Sequence, residues 1–195
     1  MRTLGSALTA LALTLTLGGC NVTVGNSDRQ AQRDAIADVV GDGELTLDLS
    51  SPPSRDDLAL AEGRRTVILE REGGQPYDLT VVFGDGTRLA TSVEWISVTA
   101  PDAESDPTQL VARRAGDDLD GVRVALDEAV ADLGVDAGEA DRVYGDVAGA
   151  GGGAADVQRS VTTSVSAPER LSIQPIGKAN REEYVVNYTV EWGRS

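Results

Sequence analysis

Hydrophobic and polar residues alternate with a period of two between residues 44 and 100. The segments ELTLDLS, RTVILERE, YDLTVVF and RLATSVEWISVTA carry this alternation, and the turn signals SPPS, GGQP and GDGT separate them. Such alternation is typical of strands with one buried face. Asp85-Gly86 suits a tight hairpin turn because both residues tolerate positive φ. Four strands joined in sequence favour an antiparallel meander.

The pattern becomes helical between Asp117 and Gly134. Apolar residues recur there at spacings of three and four, at Leu119, Val122, Leu126, Ala129, Val130 and Leu133. This spacing predicts one amphipathic helix, with Asp117 or Asp118 as its N-cap and Gly134 beyond its last residue. The preceding stretch DPTQLVARRA begins with Asp106-Pro107, a helix-start signal. It predicts either a first half of the same helix or a separate short helix.

The last third of the chain returns to strands after a glycine-rich stretch. Residues 134–156 predict a loop, and VQRSVTTSVS, RLSIQPIG and EEYVVNYTVEW predict two or three strands. The last of these alternates most regularly, so we expect it near the centre of the sheet. The fold class expected is α+β. It consists of a largely antiparallel sheet, with a four-strand N-terminal meander plus two or three C-terminal strands, and one amphipathic helix packed on a face.

The first twenty residues have the layout of an export signal. Arg2 precedes an uncharged run from Leu4 to Leu17, which is shorter than the roughly 20 residues of a membrane span, and Gly18, Gly19 and Cys20 follow it. An ordinary secretory signal shares this layout. The sequence LGGC resembles the lipobox of bacterial lipoprotein signal peptides. That resemblance implies cleavage after Gly19 and a diacylglyceryl group on the Cys20 sulfur.

This resemblance divides the chain into three parts. Residues 1–19 are expected to be a signal peptide, residues 20–43 a lipid-anchored and partly helical tether, and residues 44–195 a single domain. Within the tether, Ser27 or Asp28 can cap a helix that ends at Val40. Two acyl chains hold a protein stably on a bilayer, whereas one does not. The expected location is therefore the extracytoplasmic face of the cell membrane.

The charge balance argues against nucleic-acid partners. The chain has 17 basic and 32 acidic residues, for a net charge of −15. Without Arg2 the mature chain carries −16, because 16 basic residues remain against the same 32 acidic residues. Such a surface repels phosphate backbones. All basic residues except Lys178 are arginine, a usage typical of GC-rich genomes such as those of actinobacteria, so part of the acidity is compositional background.

The usual catalytic and metal-binding groups are scarce. The chain has no histidine, its one cysteine is the expected lipid site, and its one lysine lies outside any Ser-x-x-Lys motif. The glycine run at 149–153 is not preceded by a strand and followed by a helix, as a phosphate loop would be. The aspartates around Gly121 suit helix capping better than a calcium loop. We therefore expect no catalysis, no cofactor and no metal.

The aromatic residues leave two functions open. Six of them fall on apolar strand faces, namely Tyr77, Phe83, Trp95, Tyr184, Tyr188 and Trp192. They form either the core or the lining of a groove. The first function is a non-catalytic role in the cell envelope, either in binding a protein partner or in a structural or accessory capacity. The alternative is a carrier of a lipid, glycan or other small apolar ligand in a cavity between sheet and helix.

Overall fold

A computed structural model describes residues 26–115, 118–179 and 183–193. In these residues the fold is α+β, with three α-helices and a nine-stranded sheet. The helices are α1 Asn26–Val40, α2 Leu119–Asp132 and α3 Ala137–Ala148. The strands are β1 Glu44–Asp48, β2 Thr66–Leu69, β3 Tyr77–Val82, β4 Arg88–Thr99, β5 Gln109–Arg114, β6 Val157–Gln158, β7 Val161–Thr162, β8 Arg170–Gly177 and β9 Tyr184–Glu191.

The sheet is open and mostly antiparallel, as the alternating pattern predicted. Its order is β1-β3-β4-β5-β9-β8-β6, with β2 also pairing with β4 and β7 with β8. The expectation that β9 lies near the centre is confirmed. Tyr188 and Val190 are buried on one face of β9, and Asn187 and Thr189 are part-exposed on the other. α2 packs on β9 and α3 on β8, so both helices cover the buried face.

The predicted N-terminal meander is wrong in its pairing. β1 runs parallel to β3, and β2 pairs with β4 rather than with β1 or β3. The cause is the length of β4, which spans 12 residues. One edge of β4 pairs with β3 along residues 88–93 and with β2 along residues 96–99. The β3–β4 hairpin itself is confirmed, and Gly86 in its turn has φ +87°.

The prediction of a helix at DPTQLVARRA is also wrong, because residues 109–114 form β5. Leu110 and Ala112 are fully buried and alternate with part-exposed neighbours. β5 pairs with β4 on one side and with β9 on the other. These two ladders satisfy the backbone on both edges, and they outweigh the local helix-start signal at Asp106-Pro107.

The predicted amphipathic helix is present as α2. The Asp118 carboxylate accepts the N–H of Gly121 at 2.7 Å, which is an N-cap bond. Asp117, the other candidate cap, lies outside the described residues. Val122, Leu126 and Ala129 are buried, each 1% exposed or less. Gly134 has φ +67°, the left-handed conformation that commonly follows a helix.

The predicted loop at 134–156 is wrong over most of its length, since residues 137–148 form α3. Asp136 caps this helix by accepting the Glu139 N–H at 2.9 Å. Ala140, Val143 and Val147 recur at spacings of three and four, and all three are buried. This short apolar stripe packs against β8. Within residues 44–195 the single helix of the sequence prediction is therefore replaced by two in the described residues, α2 and α3, whereas α1 lies in the segment expected to be a partly helical tether.

α1 packs against the N-terminal part of the sheet. Val40 is fully buried, and Ile36 and Val39 are partly buried against the core. Gln32 donates from Nε2 to the Ala59 carbonyl oxygen at 2.8 Å. The side chains of the two predicted caps, Ser27 and Asp28, are not among those described. In the described part of the chain no helix combines the length and hydropathy of a membrane span.

Candidate functional site

A cleft lies between α2 and one edge of β4. β5 pairs with β4 only from Val93 onward, so residues 88–92 of β4 pair with β3 on one edge and have no strand on the other. The cleft along this edge has a volume of about 450 Å³. We call it the α2–β4 cleft. Its lining consists of Gly86, Thr87, Arg88, Leu89, Ala90, Ala125, Glu128, Asp132, Leu133 and Tyr188.

The unpaired edge of β4 gives the cleft a backbone hydrogen-bonding surface. In an antiparallel ladder, alternate residues direct their N–H and C=O groups to opposite edges of the strand. Part of the backbone of residues 88–92 therefore points away from β3 and toward the cleft. The Ser92 carbonyl is already used, because it accepts the Ala115 N–H at 3.0 Å. Ala115 directly follows β5, and the next described element along the chain is α2.

A polar cluster around Arg114 adjoins the cleft, because two of its members, Glu128 and Tyr188, line the cleft. Arg114 Nη1 donates to Glu128 Oε2 at 2.7 Å, to the Tyr188 hydroxyl at 3.1 Å and to Thr91 Oγ1 at 3.1 Å. The Arg114 side chain is 14% exposed and that of Glu128 is 43% exposed. The cluster joins the end of β5 to α2, β4 and β9.

The surroundings of Arg114 and Tyr188 shift the pKa values of both groups. Burial alone would lower the pKa of Arg114, but hydrogen bonds and charge from Glu128 and Tyr188 outweigh it and raise the pKa above its ordinary value. Burial raises the pKa of the Tyr188 phenol. Arg114 therefore stays charged and Tyr188 stays neutral near pH 7.

The mouth of the cleft carries charges of both signs. Arg88 on β4 and Asp132 on α2 are exposed, whereas Leu89, Ala125 and Leu133 are buried and apolar. A ligand here meets apolar side chains, a free strand edge and at least one group of each charge. These are features of a site for an extended peptide or a small polar molecule.

The six aromatic residues do not come together in one groove. Tyr77, Phe83, Tyr184, Tyr188 and Trp192 are core residues, each 7% exposed or less. Of the six, Tyr188 alone lines the α2–β4 cleft.

The expectation that Trp95 lies on an apolar strand face is wrong, because Trp95 does not share the buried face of Leu89 and Val93. The register of β4 shifts between Val93 and Trp95, and Ile96 and Val98 continue the buried face. Trp95 is part-exposed beside Arg113. The extra residue of the bulge reverses the side-chain alternation along the rest of the strand.

Tyr188 was named from the sequence as a possible groove residue, but Arg114, Glu128 and Thr91 were not singled out. Arg114 bonds to partners 14, 23 and 74 positions away in the chain. Residues so far apart in the chain do not form a short sequence motif.

Local signals existed for Gly86, which lies in the predicted hairpin turn, and for Asp118, whose cap positions the start of α2. Cys20 and Gly19, the predicted lipidation and cleavage residues, lie outside the described residues.

The sheet face not covered by α2 and α3 carries a row of uncharged side chains. Cross-strand pairing aligns Ile68 with Ser97, Ser97 with Val111, and Val111 with Thr189. The row continues through Ser172 to Thr162 on β8 and β7. Ile68 is 55% exposed. A second cleft, of about 440 Å³, lies at the β8 end of this face.

The described residues include no group of three or more His, Cys, Asp or Glu side chains that could hold a metal ion. The glycine run at Gly149–Gly152 forms a 3₁₀ turn directly after α3, and so does not precede a helix as a phosphate loop does. In comparisons with known proteins, no family model, no curated protein and no solved structure matches the chain.

Proposed function

We propose that this protein is an extracytoplasmic lipoprotein, held on the cell membrane by a diacylglyceryl group on Cys20, whose domain binds another envelope protein without catalysis. The anchor rests on the LGGC sequence that follows an apolar run too short to span a bilayer. The binding role rests on the α2–β4 cleft.

The main support for the binding role is the edge of β4 at residues 88–92, which has no partner strand and lies beside α2. A strand edge with free N–H and C=O groups pairs readily with an extended segment of another chain, and a neighbouring helix then contacts the side chains of that segment. In this protein residues 88–92 would supply the edge, and Ala125, Glu128 and Asp132 would supply the helix side. The partner would be an envelope protein with an exposed extended segment.

The cleft also supports a non-catalytic role. Arg114 and Glu128 are bound to each other, and Tyr188 donates no proton readily because burial raises its pKa. General acid–base catalysis works best with groups whose pKa lies near the working pH.

Site-specific photo-cross-linking tests the binding site. A photoreactive phenylalanine analogue replaces Arg88, which is exposed and lines the cleft, and is activated in cells that produce the protein. The proposal expects a defined protein adduct that disappears when Asp132→Trp fills the cleft and persists with Ala131→Trp, on a neighbouring exposed position outside it. Asp132→Asn removes the charge without filling the cleft, and so shows whether loss of the charge alone removes the adduct. An adduct insensitive to Asp132→Trp would place the partner elsewhere.

The anchor is tested by the variant Cys20→Ser. The native protein is expected in the membrane fraction with a mature mass that begins at Cys20 and includes the lipid, and the variant is expected to lack both properties. A native protein that appears in the soluble fraction with the same mass as the variant would show that Cys20 carries no lipid.

A small-molecule carrier is the second candidate, and the volume of the cleft favours it. About 450 Å³ lies within the range of roughly 300–1,000 Å³ that is usual for ligand pockets. Native mass spectrometry of the protein extracted from its producing cells tests this function. A bound molecule present in the native protein and absent from Asp132→Trp would support the carrier, and a protein adduct at Arg88 without such a molecule would support partner binding.

A further inference from the structure

β5 ends before both of its neighbours in the sheet. It stops at Arg114, whereas residues 88–92 of β4 continue with β3 as their only partner among the described strands. On the other side of β5, residues 184–186 of β9 pair with β8 alone among those strands. Residues 88–90 line the α2–β4 cleft. The cleft therefore lies where a longer β5 would continue, and we call this position beside residues 88–90 the strand gap.

The turn between β3 and β4 shows which backbone groups face the strand gap. The Phe83 N–H donates to the Thr87 carbonyl oxygen at 2.9 Å, so Thr87 directs its backbone groups toward β3. In an antiparallel ladder this direction alternates from one residue to the next. Arg88 and Ala90 therefore direct their N–H and C=O groups away from β3 and toward the strand gap.

A bond at the end of β5 agrees with this alternation. Ser92, two residues beyond Ala90, accepts the Ala115 N–H at 3.0 Å from the side of β5. The ladder between β4 and β5 thus continues one position past Arg114. The backbone groups of Arg88 and Ala90 that face the gap form no hydrogen bond with the described residues. The next two bonding positions of this ladder are therefore open.

The two faces of β4 differ beside the strand gap. Leu89 is 4% exposed on the face covered by α2, where Ala125 and Leu133 are also buried and line the cleft. Arg88 and Ala90 are exposed on the opposite face of the sheet. A strand in the gap would direct alternate side chains to these two faces. Its side chains toward α2 would meet an apolar surface, and the others would meet solvent beside Arg88.

These features select the chemical class of the occupant. An acyl chain cannot satisfy free N–H and C=O groups, whereas an extended peptide presents both kinds of group along one edge. A second copy of the chain is disfavoured, because two copies with a net charge of −15 each repel one another. The occupant that fits is an extended segment of a different protein.

We propose that the partner inserts this segment into the strand gap, antiparallel to β4 and in line with β5, and pairs with the backbone of Arg88 and Ala90. The segment carries apolar side chains toward α2 and polar side chains between them. This inference rests on the proposed binding role of the α2–β4 cleft and specifies the partner. The antiparallel direction follows from β5, which already runs that way beside β4, and antiparallel pairing is slightly the more stable.

Ala90→Pro tests the backbone pairing. Proline lacks the N–H that Ala90 directs to the gap, and a strand tolerates proline where its own ladder does not use that N–H. With the photoreactive analogue at Arg88, the yield of the protein adduct should fall about two- to tenfold, which corresponds to the loss of one hydrogen bond. The matched control is Ala90→Ser, which keeps the N–H and should leave the yield unchanged. Amide exchange at Leu89 and Thr91, which bond to β3, checks that Ala90→Pro retains the β3–β4 ladder.

Two peptides of identical composition test the side-chain pattern without the natural partner. Acetyl-Thr-Val-Thr-Val-Thr amide places both valines on one face of a strand, whereas acetyl-Thr-Thr-Val-Val-Thr amide places them on opposite faces. Each peptide is titrated into the isotope-labelled full-length protein, and the NMR signals of the Arg88 and Ala90 amides are followed. The first peptide should bind about tenfold more tightly, because it buries one more valine on the side of α2.

The outcomes separate this inference from the proposed function. No protein adduct at Arg88, together with no binding of either peptide, would overturn both. An adduct that Asp132→Trp removes and a folded Ala90→Pro leaves unchanged would overturn this inference alone, as would equal binding of the two peptides. Where Ala90→Pro does not fold, the two peptides decide the outcome. An adduct whose mass is that of two copies of the chain would also overturn this inference.

Discussion

The guanidinium of Arg114 lies 3.1 Å from the hydroxyl of Tyr188, although the two residues are 74 positions apart in the chain. This bond links the end of β5 to β9, and the Arg114–Glu128 ion pair links the same point to α2. The arrangement holds α2 beside the unpaired edge of β4 and so keeps the α2–β4 cleft open. The cluster is therefore a structural support for the cleft, and its removal should be measurable as a loss of stability.

Replacing Tyr188 with phenylalanine should destabilise the protein by about 1.5 kcal/mol, because a hydrogen bond to a charged donor is lost. Tyr184→Phe is the matched control on the same strand, since Tyr184 is 7% exposed and its hydroxyl forms no hydrogen bond with the described residues. Urea unfolding gives both free energies, provided that the m value is unchanged. Equal losses in the two variants would contradict the importance of the Arg114–Tyr188 bond.

The variant Glu128→Gln should cost about 1 kcal/mol, because it removes the negative charge beside a mostly buried arginine while leaving one acceptor oxygen. Asp127→Asn is the comparison on the exposed side of α2. It weakens the Arg123–Asp127 pair, whose side chains are 42% and 56% exposed, and should cost less than about 0.5 kcal/mol. High salt should reduce the second loss more than the first, since exposed pairs are screened more strongly.

Gly177→Ala should destabilise the protein by about 1–3 kcal/mol, through overpacking between β8 and α3. A Cβ at residue 177 would lie 2.6 Å from the Val147 carbonyl oxygen and 2.7 Å from the Ala150 Cβ. Gly145→Ala on α3 is the control, because nothing lies within 4 Å of its added Cβ. Since alanine is the better helix former, this variant should gain about 0.5–1 kcal/mol. Thermal or urea unfolding of both variants checks the packing of α3 against β8.

The pH dependence of stability should include a contribution from Asp85. Its carboxylate accepts the N–H groups of Thr87 and Ser166, at 2.9 and 3.0 Å, and these bonds lower its pKa to about 2. An aspartate in the unfolded chain has a pKa of about 3.9. Because the folded pKa is the lower one, the stabilisation is fully present above the unfolded value and is lost as the pH falls through about 2.

Asp85→Asn isolates this contribution. The amide retains an acceptor oxygen but does not titrate, so the native protein should be more stable than the variant at neutral pH. The difference should shrink as the pH falls from about 4 to about 2. Urea midpoints of both proteins across this range measure it. A difference that stays constant with pH would show that the carboxylate charge contributes nothing to these bonds.

Features that depend on residues a few positions apart could be predicted from the sequence. The Asp118 cap, the apolar stripe of α2 and the turn at Gly86 all follow from local spacing. The alternation in β1 and β9 also identified their buried faces correctly. At Trp95 the same alternation failed, because a single extra residue in β4 shifts every later side chain to the other face. A bulge has no local signature that distinguishes it from a continuous strand.

By itself the sequence determined the α+β class and the faces of most strands. The tertiary structure decided that β1 pairs in parallel with β3, that residues 109–114 form a strand and that residues 137–148 form α3. It also decided that Arg114 meets Glu128 and Tyr188 beside an unpaired strand edge. The physical reason is that the free energy of these pairings comes from contacts between residues distant in the chain, and local propensity favours other structures at several of those positions.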